Sequence, residues 1–124
     1  MDLAPMMSGS RRAVEFEIAE GGGALIAHLT GDLTIANAAT VRTAVYAAWA
    51  ENKTDKVIVE MNATRRVDSS GVGALMELAQ RARQARIRIA LRGVQQEPRK
   101  ILNRTGIGRL FEERQDNNFG GTRQ

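Results

Sequence analysis

The sequence predicts an α/β domain in the order β-β-α-β-α-β-α, a mixed sheet with helical cover. Three observations carry that expectation. The apolar, β-branched run Val57-Ile58-Val59-Glu60-Met61 has the length and composition of a buried strand and is followed, after an intervening connection, by a helical pattern at Val72, Leu75, Met76 and Ala79. Upstream, Val14, Phe16 and Ile18 alternate with Glu15 and Glu17, the period of a half-buried strand. Between them, Ala38, Val41, Val45, Ala48 and Trp49 fall on one stripe of a helix over about 36–51. Strands separated by helices form parallel neighbours, and the two leading strands form an antiparallel hairpin.

In chain order, residues 1–12 read as a flexible tail, and the domain as 13–113. Gly21-Gly22-Gly23 turns the first strand into a second over 24–30. His28 on that strand is the single histidine, and with no cysteine or second histidine to share a metal it is assigned no catalytic role. Gly31-Asp32-Leu33-Thr34 is a loop into the first helix, in which Trp49 anchors the core. Residues 52–55 turn into the central strand 56–61, whose unbroken apolar run implies cover on both faces. A second helix runs to about Gln84, a strand covers 87–91, and a short helix covers about 96–104. Pro98 suits the first turn of that helix, and Gly106 its left-handed end with Ile107 as apolar follower. Leu110 and Phe111 return to the core, and residues 114–124 read as a second flexible tail.

The most informative stretch is Val67-Asp68-Ser69-Ser70-Gly71-Val72-Gly73, which joins the central strand to the second helix. Asp68 is placed as N-cap, accepting from first-turn N–H groups that lack partners. Val67 and Val72 then occupy the two positions of a hydrophobic staple. Ser69 is the first helical residue, near the positive end of the helix dipole. A helical glycine costs about 1 kcal/mol relative to alanine. Gly71 and Gly73 therefore imply either close packing of the helix or a bare surface around a serine.

Composition narrows the function. The 124 residues suffice for one domain with its own core, and the absence of cysteine removes disulfides and thiolate metal sites. No apolar stretch approaches the roughly 20 residues of a membrane span, and no secretory signal pattern opens the chain, so the cytoplasm is expected. Net charge is +4, and arginines at 81, 83, 86, 88, 92, 99 and 104 supply much of the excess. Aromatics make up 4% and none interrupts that run, so a solvated face rather than direct nucleic-acid binding is expected. No G-x-x-x-x-G-K-[ST] phosphate loop is present, and no cofactor is expected. An N-cap Asp is a weak base because backbone N–H groups hold its charge, so Asp68 and Ser69 do not make a nucleophile pair.

V-D-S-S-G-V-G-A-L resembles the signature of the STAS domain, above all that of bacterial anti-sigma factor antagonists. His28-Leu29-Thr30-Gly31-Asp32-Leu33 is similar to the family's strand-end L-x-G-x-L segment, and Arg104 to Phe111 to its closing T-G-hydrophobic segment. The resemblance covers about 13–113 and implies about four strands with helices mainly on one face. It implies a non-enzyme that binds an anti-sigma factor serine kinase and frees the sigma factor. Phosphorylation of Ser69 then ends binding, and a metal-dependent serine phosphatase restores it. Asp32, Thr34, Asp68, Ser70, Gly71 and Gly73 would form the partner surface, and a weak homodimer is compatible with this role.

The family often reads G-[DE]-L-D where this chain has Gly31-Asp32-Leu33-Thr34, so one acidic contact is not expected here. Helical arithmetic from Val72 points Ser70 outward near Glu77 and Ser69 sideways, which makes Ser70 the fallback site. Two other roles share the same fold: an accessory STAS subunit of a lipid-transport ABC system, and a scaffold module of a stress-signalling complex.

Overall fold

Residues 13–19 and 23–113 are described by the structure, a computed structural model. The expected tails 1–12 and 114–124, and Gly21 and Gly22 of the expected turn, lie outside those residues. The order is β1 (Val14–Ile18), β2 (Leu25–Leu29), α1 (Ala38–Asn52), β3 (Lys56–Glu60), α2 (Ser69–Gln84), β4 (Arg88–Arg92), α3 (Gln96–Thr105), a 3-10 turn (Ile107–Leu110) and β5 (Glu112–Glu113). The sheet runs β1-β2-β3-β4-β5, with β1 antiparallel to β2 and every other pair parallel. This is the expected four-strand mixed sheet with three helices, extended by a two-residue edge strand.

Register assigns the faces. Leu25, Val57 and Ile89 lie side by side, as do Ala27, Val59 and Leu91. These residues join Val41, Val45, Ala48 and Trp49 of α1, Leu75, Leu78, Ala79 and Ala82 of α2, Leu102 of α3, and Phe111 in one core. A strand order that never reverses, with crossovers of one hand, puts the helices on one side of the sheet. The other face carries Ile26, Ile58 and Ala90 in one row, with Lys56, Glu60, Arg88 and Arg92 around it. There Glu60 pairs with Arg92, and Glu112 takes both Lys56 (3.3 Å) and Arg88 (3.0 Å). Val57, Ile58 and Val59 are all buried, so both faces of the central strand are removed from water, as its apolar run implies.

Local signals act where expected. Pro98 sits in the first turn of α3, where a missing N–H breaks no bond. Gly106 ends that helix at φ 78°, its N–H returning to the carbonyls of Asn103 and Leu102, with Ile107 buried behind it. Trp49 is buried and meets Tyr46 edge-on at 5.3 Å. The edge strand β1 is less covered than its alternation suggests, with Phe16 38% and Ile18 50% exposed. No helix among the described residues is long and apolar enough to cross a membrane.

Candidate functional site

The site lies beyond the C-terminal ends of β2 and β3, where two connections are laced together. Thr64, fully buried, donates its hydroxyl to the Gly31 carbonyl at 2.8 Å. Asp32 Oδ1 accepts the backbone N–H groups of Arg65 (3.0 Å) and Arg66 (3.1 Å). Leu33 and Val67 form a parallel bridge, with Leu33 N–H donating to Arg66 O and Asp68 N–H to Leu33 O. The segment 34–37 closes on itself. Thr34 Oγ1 accepts from Ala36 N–H, Asn37 Oδ1 accepts from Thr34 N–H, and Asn37 Nδ2 donates to Asp32 O. The chain therefore enters α1 through a polar-bonded turn, two residues later than the periodicity alone suggests.

Asp68 caps α2 as expected, in extended backbone, with Oδ1 accepting from Gly71 N–H at 3.0 Å. Its second oxygen accepts from Ile35 N–H at 3.0 Å, so one carboxylate joins the loop to the helix start. The Gly71 bond first, and the Ile35 bond next, hold its carboxyl below the usual carboxylate range. A carboxylate held in that way is a poor proton acceptor for the neighbouring serine.

The two glycines of α2 have different roles. A Cβ at Gly71 would come within 2.4 Å of the Leu33 carbonyl oxygen and 2.8 Å of Val67 Cγ1, whereas one at Gly73 would meet nothing within 4 Å. Gly71 thus lets the helix close on the loop, and Gly73 leaves the surface bare. The inward stripe runs Gly71, Ala74, Leu75, Leu78, Ala79 and Ala82. Val72 is half-buried and packs against the core, as its spacing implies, whereas Met76 is 38% exposed, which corrects the expectation that it faces inward.

The shift of phase reverses the serines. At about 100° per residue, Ser69 lies about 160° from Gly71 and Ser70 about 100°. Ser69 is accordingly exposed and Ser70 half-buried, opposite to the wheel drawn from Val72. Asp68 is exposed and Thr34 half-buried on the same rim, Asp32 is exposed but bonded to the loop, and Gly71 lies beneath. His28 is bonded to Glu17 at 2.7 Å on the sheet face away from the core. Thr64, Asn37 and Ile35 have no motif to announce them; their bonds to this site span up to 33 positions.

The STAS domain family model matches residues 15–119. The chain belongs to the STAS domain family. Solved structures agree in fold. A candidate anti-sigma factor antagonist from Thermotoga maritima is similar at TM-score 0.74 and 15% identity, over 90% of this chain and 95% of that one. The anti-sigma factor antagonist SpoIIAA in its unphosphorylated form is similar at TM-score 0.69 and 18% identity, over 88% and 95%. A sulfate transporter family protein from Wolinella succinogenes is similar at TM-score 0.65 and 21% identity, over 77% and 75%. Comparison with curated protein sequences gives no match.

Proposed function

We propose that this STAS domain is an anti-sigma factor antagonist. Its unphosphorylated form binds an anti-sigma factor that is also a serine kinase, and so releases the sigma factor. The observation that carries this reading is the exposed Ser69 at the start of α2, outside the core that holds the fold. Among similar structures, an anti-sigma factor antagonist has been solved in both unphosphorylated and phosphorylated forms, which supports the same reading.

The covalent step is a phosphoryl transfer. Ser69 Oγ forms a bond to the γ-phosphorus of ATP as the bond to the β,γ-bridging oxygen breaks. ADP leaves, and the hydroxyl proton passes to a base of the kinase. This chain is the substrate of that step and not its catalyst, and a metal-dependent serine phosphatase hydrolyses the ester. Asp32, Thr34, Asp68, Ser70 and Gly73 form the docking rim, with Gly71 acting beneath it. A phosphate adds about −1.5 to −2 charges at the helix start, where the helix dipole favours negative charge. A docked partner would have to desolvate that dianion, at a cost of several kcal/mol and therefore a hundredfold or greater loss of affinity.

Incubation with ATP and the purified anti-sigma serine kinases of the source organism, followed by mass spectrometry, tests the assignment. Wild type and Ser70→Ala gain one phosphate, and Ser69→Ala gains none. Phosphorylation of Ser69→Ala at the wild-type rate overturns the site.

A second reading, an accessory subunit of a lipid-transport ABC system, draws on Thr34 standing where the docking loop of antagonists often carries an acid. Co-purification with an ATPase subunit instead of a kinase distinguishes it.

A further inference from the structure

Ile35 is 78% exposed, the most exposed of the large apolar side chains among the described residues, and it stands beside the serine site. A single exposed apolar residue is ordinary on a protein surface. Three observations set this one apart.

First, Ile35 is held in place. Its N–H is bonded to Asp68 Oδ2, and its neighbours Thr34, Ala36 and Asn37 are bonded to each other and to Asp32. A side chain presented on a fixed loop loses little freedom when it is covered. Second, it is not alone. On α2, Ser69, Gly73 and Met76 share the outward face, and Met76 is 38% exposed, so apolar groups flank the serine on the loop and on the helix.

Third, the surrounding charge cancels. The segments 31–42 and 62–77 carry Arg42, Arg65 and Arg66 against Asp32, Asp68 and Glu77, three of each sign. Arg42 is bonded to Glu77 at 2.9 Å, and both aspartates are engaged by backbone N–H groups. A rim without net charge exerts little long-range pull; apart from the exposed Arg65 and Arg66, the groups it offers for burial are the apolar side chains.

We infer that Ile35, assisted by Met76, is the apolar anchor of the docking surface, and that the partner meets it with an apolar pocket and not with a charged group. The inference rests on the antagonist reading and names the chemistry of its partner. Thr34, where the family often carries an acid, accepts Ala36 N–H and so helps to close the turn that fixes Ile35. Phosphate on Ser69 then converts a neutral apolar rim into a strongly anionic one.

The test titrates each purified anti-sigma serine kinase of the source organism with wild type, Ile35→Ala and Met76→Ala, at about 50 and 500 mM salt, a range over which the Debye length falls severalfold. Thermal midpoints and sedimentation are followed alongside. The expected result is one kinase bound by wild type, with affinity weakened about 10- to 100-fold in Ile35→Ala and less in Met76→Ala. Melting temperature should be unchanged and the salt dependence less than about threefold.

Equal binding by wild type and Ile35→Ala overturns the anchor and leaves the antagonist reading standing. A more than tenfold loss at high salt shows that charge holds the partner and also overturns it. Wild-type self-association that Ile35→Ala abolishes, without an effect on kinase binding, assigns the patch to a second copy and overturns it. If wild type neither binds nor is phosphorylated by any of these kinases, the antagonist reading itself falls and the anchor with it.

Discussion

At the scale of a residue, Asp68 does two tasks with one carboxylate: Oδ1 caps α2 through Gly71 N–H, and Oδ2 holds the Ile35 loop. Replacing it with alanine leaves two backbone N–H groups without their acceptor and should lower the urea midpoint at pH 7. The pH dependence follows from its lowered pKa. A carboxyl whose folded value lies below the unfolded value of about 3.9 stabilises the fold fully above that unfolded value, and the contribution is lost as pH falls through the folded value. The gap in midpoint between wild type and Asp68→Ala should therefore be constant from neutral pH down to about 5 and close below about 4. Glu112, also held down, chiefly by Arg88, titrates in both proteins and cancels from the difference. Urea titrations of both proteins across this range check the sign; a gap that widens in acid would show that the cap does not act as a carboxylate.

At the scale of an element, α2 is placed by a residue without a side chain. Gly71→Ala would drive a methyl into the Leu33 carbonyl, which cannot retreat because it accepts Asp68 N–H at 3.2 Å. Overpacking of this kind costs about 1–3 kcal/mol, more than the gain of about 1 kcal/mol from helix propensity. Gly73→Ala meets open space and should stabilise by about 0.5–1 kcal/mol. The two variants, one turn apart or less, should move the denaturant midpoint in opposite directions; a shared direction would refute the packing assigned to Gly71. The same residue explains the limit of what the sequence discloses. The Asp68 cap, the Gly106 stop, the Pro98 first turn and the buried run of β3 are local effects written in a few adjacent residues. The rotational phase of α2 is not local. Val72 offers the obvious inward side chain, but the tightest approach is made by Gly71 against a backbone oxygen, which no hydrophobicity pattern marks. The exposed Met76 and the exchange of roles between Ser69 and Ser70 both follow from that one rotation. Thr64 and Asn37 were equally silent, since their partners are fixed only when the two connections meet. Strand β5 has no β pattern of its own; Glu112 and Glu113 pair because the chain after Phe111 falls beside β4.

At the scale of the whole molecule, the parts that hold the fold and the parts offered to a partner are separate. The core links the sheet to one face of each helix, and it contains neither Ser69 nor Ser70. A negative charge placed on position 69 acts on that arrangement through two opposed effects. The helix start favours it by about 0.3–1 kcal/mol. The neighbouring Asp68 carboxylate, exposed and screened by water, opposes it. Neither effect reaches the core. Ser69→Asp should therefore melt within about 4 °C of wild type, since a shift of that size corresponds to no more than about 1 kcal/mol in a domain of this length. Its amide spectrum should change only around residues 33–37 and 66–73, while its affinity for the kinase falls at least about a hundredfold, as expected when a buried interface must accept an unpaired charge. Calorimetry, a two-dimensional amide spectrum and a binding titration on the same sample separate the possibilities. A large drop in melting temperature, or spectral change spread through β2, β3 and β4, would mean that charge at position 69 works by unsettling the sheet. A docking rim that changes its electrostatics on an unmoved scaffold should show the loss in binding alone.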